Sequence, residues 1–345
     1  MSPVAPSSTS SSTTSIDRLF ATAVLRFLDP VREHLADVTV SEILINGHEE
    51  VWVERHGRLE RSEARFETPE ALLAAITCVA QYAGRPLGPH LPIVEARLPD
   101  GSRVQAVLPP VSRRGPTVAI RRFPPGSVTA GRWLETGSLD QAAYDLLSHA
   151  VLARKNVLIA GGTGSGKTSL LGALAAFIPE DQRIVVIEDC SELRLAQPHV
   201  VYLETRPPGP RGEGEVTIRA LLRATLRLRP DRIVLGEIRG GEALDLIGAM
   251  TSGHGGGLST IHASRPADAL RRLETLALMS DLDLPLEALR AQVGSAVDLV
   301  VQVDRIEDGS RRVTQIAQCE GYRPAQGYLL TDRFALGKGA PGEGP

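Results

Sequence analysis

Residues 157–168 read VLIAGGTGSGKT, an apolar run that enters a glycine-rich turn, and SLLGALAAFI follows it at 169–178. Gly161, Gly166, Lys167 and Thr168 satisfy the spacing G-x-x-x-x-G-K-[ST]. Each residue type has a physical task. Glycine lets the backbone take positive φ and turn its N–H groups toward phosphate oxygens. Gly162, Thr163, Gly164, Ser165 and Gly166 therefore read as a phosphate cradle. A helix beginning at Lys167, Thr168 and Ser169 would point the positive end of its dipole at the same anion. Lys167 can reach the β- and γ-phosphates of a nucleotide, and the Thr168 hydroxyl can ligate Mg²⁺. A strand before and a helix after separate this pattern from an ordinary glycine turn.

Outward from this stretch the pattern alternates. RIVVI at 183–187, a helix over 217–228, RIVLG at 232–236, a helix over 241–251, GLSTI at 257–261 and a helix over 265–279 follow in turn. Alternation of this kind predicts a largely parallel sheet with helices on both faces. Upstream, residues 16–123 mix the two periods. SEILIN reads as a strand, and the next segment as a hairpin around His56 and Gly57. The spacing of Leu72, Leu73, Ile76 and Val79 predicts a helix over 69–84. VEARLPDGSRVQAVLP predicts a hairpin with a tight type I′ turn at Asp100–Gly101. The turn formers of PPGSVTAGRW break the pattern. The expected organisation is a disordered tail over 1–15, an α/β domain over 16–123, a linker over 124–136, a second domain over 137–330 and a disordered tail over 331–345.

Composition narrows the function. A net charge of −3 gives no global basic field for nucleic acid or anionic lipid. Aromatic residues are only 4% of the chain, and no basic-aromatic stripe for single strands is present. The three cysteines, Cys78, Cys190 and Cys319, form no CxxC pair and fit a reducing cytoplasm. No apolar run approaches the ~20 residues of a membrane span, so the expected membrane contact is peripheral.

Four further features carry chemistry. VVIEDCSEL places Glu188, Asp189 and Glu192 at the end of a strand, where ligands of parallel sheets collect. Those acids could serve the Mg²⁺ shell or orient water; equally, Asp189 and Glu192 could cap a helix. RPDRIVLGEIRG ends a buried strand at Glu237, which can hold a Mg²⁺-bound or attacking water, and Gly236 permits a close approach. TSGHGGGLSTIHAS holds His254 and His262, which could sense a γ-phosphate or be structural. In the first domain Arg103, Arg113, Arg114, Arg121 and Arg122 could stabilise transferred phosphate or form a solvated face. Arg121 and Arg122 face opposite sides of a strand.

GGTGSGKT, IEDCSEL, VLGEIRG and GHGGGLSTIH, in that order, resemble the Walker A, Asp box, Walker B and His box of the secretion ATPases of type II secretion, type IV pili and type IV secretion. VSEILINGHEEVWVERHGRLE, GRPLGPHLPIVEARLPDGSRVQAVLPP and GPTVAIRRF resemble the CpaF/TadA-type ATPases of tight-adherence (Flp) pili. The conjugation-system ATPases are similar to both. The resemblance implies an α/β fold in which a RecA-like P-loop domain follows a smaller α/β domain. It implies ATP hydrolysis with Mg²⁺ held by Thr168 and, through water, by Glu237. It gives Glu188 the activation of water and makes Lys167, His254, His262, Arg103, Arg113 and Arg121 site residues, with Arg227 and Arg239 as further candidates. It implies a homohexamer at the cytoplasmic face of the inner membrane, working on an integral membrane platform protein. A nucleic-acid translocase would share the phosphate loop and ring, but the charge and the missing basic-aromatic stripe count against it, so no nucleic-acid ligand is expected.

Overall fold

The structure is a computed structural model and describes residues 15–55, 57–122, 129–209, 212–282, 284–306 and 308–337. It divides into two compact units, Met1–Pro125 and Gly126–Pro345.

The first unit contains helices α1 (Ser15–Phe27), α2 (Arg32–Ala36) and α3 (Pro69–Tyr82), and strands β1 (Val40–Asn46), β2 (Val51–Arg55), β3 (Arg58–Ser62), β4 (Ile93–Arg97), β5 (Arg103–Val107) and β6 (Thr117–Arg121). The strands form one antiparallel sheet in the order β3-β2-β1-β6-β5-β4. Alternate positions of β1, β5 and β6 put Ile43, Ile45, Val104, Ala106, Val118 and Ile120 into a core with Leu72, Ile76 and Val79 of α3. Helix α3 starts where Thr68 accepts a bond from the Ala71 amide at 3.2 Å and Pro69 presets the first turn. The β4–β5 connection differs from the expected two-residue turn. Arg97 pairs with Arg103, and the Gly101 amide bonds back to the Leu98 carbonyl at 2.9 Å with Gly101 at φ 90°. Pro99 favours an αR-type first turn residue, so the glycine takes the left-handed position at the end of a longer loop.

The second unit contains α4 (Ala130–Glu135), α5 (Gln141–Leu152), β7 (Val157–Gly161), α6 (Lys167–Ala175), β8 (Ile184–Glu188), β9 (Val200–Glu204), α7 (Ile218–Thr225), β10 (Arg232–Leu235), α8 (Glu242–Thr251), β11 (Leu258–His262), α9 (Pro266–Ala277), α10 (Leu286–Ala296), β12 (Leu299–Arg305), β13 (Arg311–Arg323) and β14 (Gly327–Ala335). Its sheet has the order β14-β13-β12-β7-β11-β10-β8-β9. Strands β12 to β9 in that order are parallel, and β13 and β14 continue the sheet antiparallel. Every residue of β7, β8 and β10 is buried, as expected of strands covered on both faces. Their side chains alternate between two cores, Leu158 and Val185 on one face, Ile159 and Val186 on the other.

Two expected boundaries are corrected. Residues 1–14, 123–128 and 338–345 lie outside the described residues, so the disorder expected of both tails falls there in large part. Within the expected linker, however, Thr129 caps helix α4 by accepting from the Arg132 amide at 3.2 Å, and Trp133 is only 4% exposed within the second unit's core. At the other end β14 runs to Ala335, because its pairing with β13 supplies partners that the local sequence does not announce. Trp133→Ala is expected to destabilise the second unit by about 3–5 kcal/mol, the cost of emptying a buried aromatic site. Urea unfolding of the two proteins measures it; an unpacked linker would tolerate the change within about 0.5 kcal/mol.

Candidate nucleotide site

Parallel order brings the carboxyl ends of β7, β11, β10 and β8 side by side, and the four sequence motifs end there. Strand β7 ends at Gly161, and packing requires a glycine there. A Cβ at that position would stand 2.3 Å from the Val303 carbonyl oxygen of β12 and 2.5 Å from Ser165 Oγ. The chain then turns through Gly164 at φ 71° and Gly166 at φ 96°, conformations that side chains rarely adopt. Gly166 is the N-cap of α6 and supplies no side-chain acceptor, and the helix N-terminus at Lys167, Thr168 and Ser169 points its positive dipole end at the loop. Lys167 Nζ donates to the Gly162 carbonyl at 2.8 Å, and Ser165 Oγ donates to the same oxygen at 3.0 Å. The loop thus places a cation beside a helix N-terminus, an arrangement that suits a nucleotide's phosphates.

From Lys167 the polar contacts run across the sheet. Lys167 Nζ lies 3.5 Å from His262 Nδ1, and His262 Nε2 lies 2.6 Å from Glu237 Oε1. The order of strands explains the arrangement: β11 separates β7 from β10, so His262 stands between the lysine and the acid. Burial, then the Lys167 charge, holds the His262 imidazole below its ordinary pKa, with Glu237 pulling the other way. Glu237 Oε2 accepts from Arg239 Nε at 2.6 Å, whereas Oε1, within ion-pair distance of His262, accepts no hydrogen bond among the described residues. Arg239 also reaches Asp189 at 3.0 Å.

Glu188 ends β8, one strand beyond β10, and is 4% exposed. Its Oε1 accepts from the Glu192 and Leu193 amides at 3.0 and 3.1 Å. No helix starts at this point, so a helix-capping role for Asp189 and Glu192 is not what the fold uses; Glu188 itself collects the amides of an extended segment. The close approach expected at Gly236 is to this carboxylate: a Cβ there would sit 3.0 Å from Glu188 Cγ. Burial pushes the Glu188 carboxyl up to about 7, against the two amide bonds, which lower it. A carboxylate of that basicity near neutral pH is suited to accept a proton.

The two histidines are not brought together. His254 follows α8 and precedes β11, whereas His262 ends β11, so a strand length of ~13 Å separates their places on the sheet. The His254 amide bonds to the Ala249 carbonyl at 3.2 Å, and its Nδ1 is buried with no hydrogen-bond partner among the described residues. The structure thus does not bring both imidazoles to one place, and of the two His262 is the one that stands beside Lys167 and Glu237. The glycines beside His254 have a packing task instead. Asn156 Oδ1 accepts the Gly256 and Gly257 amides at 2.8 and 2.9 Å, and a Cβ on Gly256 would meet Arg232 Nη1 at 2.1 Å. Arg232 is 1% exposed and donates to Gln182, to the Val151 carbonyl and to the Gly256 carbonyl. Asn156 and Arg232 escaped sequence reading because each merely precedes an apolar run, where a polar residue is ordinarily solvated.

Arg103, Arg113, Arg121 and Arg122 belong to the first unit. Arg103 and Arg121 are cross-strand partners on β5 and β6, and Arg97 is the partner of Arg103 on β4. Opposed residues share a face, so three guanidinium groups stand in one row, continued by Glu42. Arg97 was missed; strand alternation counted back from Arg103 across the hairpin would have found it. Arg103 also pairs with Glu95 at 2.7 Å. Arg113 is exposed in the β5–β6 connection. Arg122 has other work, donating to the carbonyls of Asp37 and Val40. Arg227 is exposed just beyond α7.

A buried parallel sheet, a glycine phosphate loop and two acids on neighbouring strand ends define a P-loop ATPase domain of RecA-like fold. The chain matches the family described as "Type II/IV secretion system protein" over residues 27–325, and it belongs to that family. A Mycobacterium tuberculosis protein named for conjugal transfer is 39% identical over 302 residues, 85% of each chain. The Bordetella pertussis type IV secretion system protein PtlH is 38% identical over 322 residues, 85% of this chain and 94% of that one. The Legionella pneumophila ATPase DotB shares the fold, with a TM-score of 0.58 at 22% identity over 83% of this chain and 79% of that one. The two sequence relatives carry conjugation and type IV secretion names, so they do not support the tight-adherence pilus branch suggested by the first domain's motifs.

The raised Glu188 pKa makes a stability prediction with a definite sign. The folded protein keeps a proton on Glu188 between about 4.5 and about 7, where the unfolded chain has lost it. Stability therefore falls as pH rises through that window, by roughly 1.4 kcal/mol per unit and up to about 3 kcal/mol in all. Glu188→Gln removes the titration. The variant should match the parent at pH 4.5 and exceed it in thermal midpoint at pH 8, in melts recorded across the range without nucleotide.

Proposed function

We propose that this chain is the ATP-hydrolysing motor of a conjugation-type, type IV secretion system. The observation that carries the reading is the line Lys167–His262–Glu237 across three strand ends, with buried Glu188 on the next strand. Lys167 and the α6 amides bind and orient the β- and γ-phosphates. Thr168 and, through water, Glu237 are the residues that would hold Mg²⁺, which neutralises phosphate charge when bound. Glu188 takes the proton of the attacking water, and its burial keeps it basic enough to do so near neutral pH. His262 holds Glu237 in place and lies near the lysine that the γ-phosphate claims. Arg103, Arg113 and Arg121 supply positive charge from the first unit as subunits of a homohexamer close. The names of the relatives favour conjugation or type IV secretion over pilus assembly. Among the described residues no helix is long and apolar enough to cross a membrane, which is compatible with peripheral contact to an integral inner-membrane platform protein from the cytoplasmic side. In this reading the chain itself binds no nucleic acid.

Lys167→Ala is expected to abolish Mg²⁺-dependent ATP hydrolysis, and Glu188→Gln to bind ATP while losing at least about a hundredfold in turnover, the usual scale of a positioned general base. Phosphate release and equilibrium binding of a fluorescent ATP analogue separate the two effects. Undiminished hydrolysis by Lys167→Ala would remove the site assignment.

A further inference from the structure

We propose that Arg239 is a placeholder cation, holding Glu237 and Asp189 together in the ligand-free site and yielding Glu237 when a divalent cation arrives. The inference rests on the ATP-site reading above and adds a regulatory exchange to it. Glu237 is two residues from Arg239 and 16% exposed at its side chain. Its Oε2 takes Arg239 Nε at 2.6 Å and also faces Arg239 Nη2. The third guanidinium nitrogen, Nη1, reaches Asp189 Oδ2 at 3.0 Å. One planar fork thus bridges carboxylates from two strand ends, β10 and β8, which lie beside each other. Such a bridge supplies the positive charge that a metal would otherwise supply, because two acids brought this close repel unless a cation lies between them.

Two observations make Arg239 the member that moves. Its side chain is 55% exposed against 16% for Glu237, so it can leave into water while the carboxylate stays. Its backbone is fixed: buried Glu242 accepts the Arg239 and Gly240 amides at 2.7 and 2.8 Å through Oε1. The exchange is then a side-chain rotation on a rigid turn. Two guanidinium nitrogens, Nε and Nη2, already face the two lone-pair sites of Glu237 Oε2, so a hydrated Mg²⁺ approaching that oxygen competes with Arg239. Arg239 is a positioning residue in this scheme and touches no substrate.

The test is a Mg²⁺ titration of fluorescent ATP-analogue binding, beside melts of the ligand-free protein. Arg239→Gln should lower the Mg²⁺ concentration giving half-maximal affinity by about five- to tenfold, since about 1 kcal/mol of competition is removed. It should also lower the melting midpoint of the free protein. Arg239→Lys should fall between, because a lysine cannot bridge both acids with a fork. Asp189→Asn, which removes one anchor and leaves the arginine, should shift the Mg²⁺ requirement in the same direction by less. It also stands in if Arg239→Gln does not fold. An unchanged or raised Mg²⁺ requirement in these variants, with analogue binding retained, overturns the placeholder role and leaves the site intact. Failure of the parent protein to bind the analogue in a Lys167-dependent way overturns both readings.

Discussion

The contact between Gly161 and strand β12 is the constraint on which the second unit depends. With only 2.3 Å between a would-be Cβ and the Val303 carbonyl oxygen, any other residue would push β7 away from β12 or the phosphate loop away from both. Because β7 lies between β12 and β11, that displacement would pass to His262, and from His262 to Glu237. A single missing methyl thus sets the spacing of the polar line from the phosphate loop to the Walker B acid. The loop's own form follows. Gly164 and Gly166 turn through positive φ, and Trp133 and Arg311 close on Gly166 from the outside.

The opposite edge of the sheet is built differently. At the carboxyl ends, side chains meet one another: a lysine, an imidazole, two carboxylates and a guanidinium. At the amino ends, buried Arg232 and Asn156 are satisfied chiefly by backbone carbonyls and amides. Backbone partners do not exchange readily, whereas side-chain partners can be displaced by a ligand of the right charge. The amino edge therefore anchors the β11 strand while the carboxyl edge remains open to rearrangement. The glycines of GHGGG serve the anchor, by leaving room for Arg232, and His262 at the far end of the same strand serves the site.

Burial gives the two central acids different chemistry. Glu188 is almost wholly withdrawn from water, with two backbone amides as its ligands, and its carboxyl is pushed up toward neutrality. Glu237 instead has the His262 imidazole and the Arg239 guanidinium against it. One acid is suited to accept a proton and the other to hold a cation, and neighbouring strands keep them close without letting their roles merge.

The sequence determined much of this by itself. The glycine spacing of residues 161–168, the apolar strands ending in Glu188 and Glu237, and the alternation of periods establish the parallel sheet and its functional edge, because these features are local and need only backbone geometry and side-chain period to read. The antiparallel pair β13–β14, the helix over Ala130–Glu135, and the parting of His254 from His262 were decided only by the tertiary structure. In each case the cause lies in how elements meet: pairing with β12 for β13, the phosphate loop's glycine for Trp133, and the direction of β11 for the two histidines. Arg97 joins Arg103 and Arg121 for the same reason, since a row across three strands exists only once their register is set. Local sequence chooses the elements, but contacts between elements choose which of their residues meet.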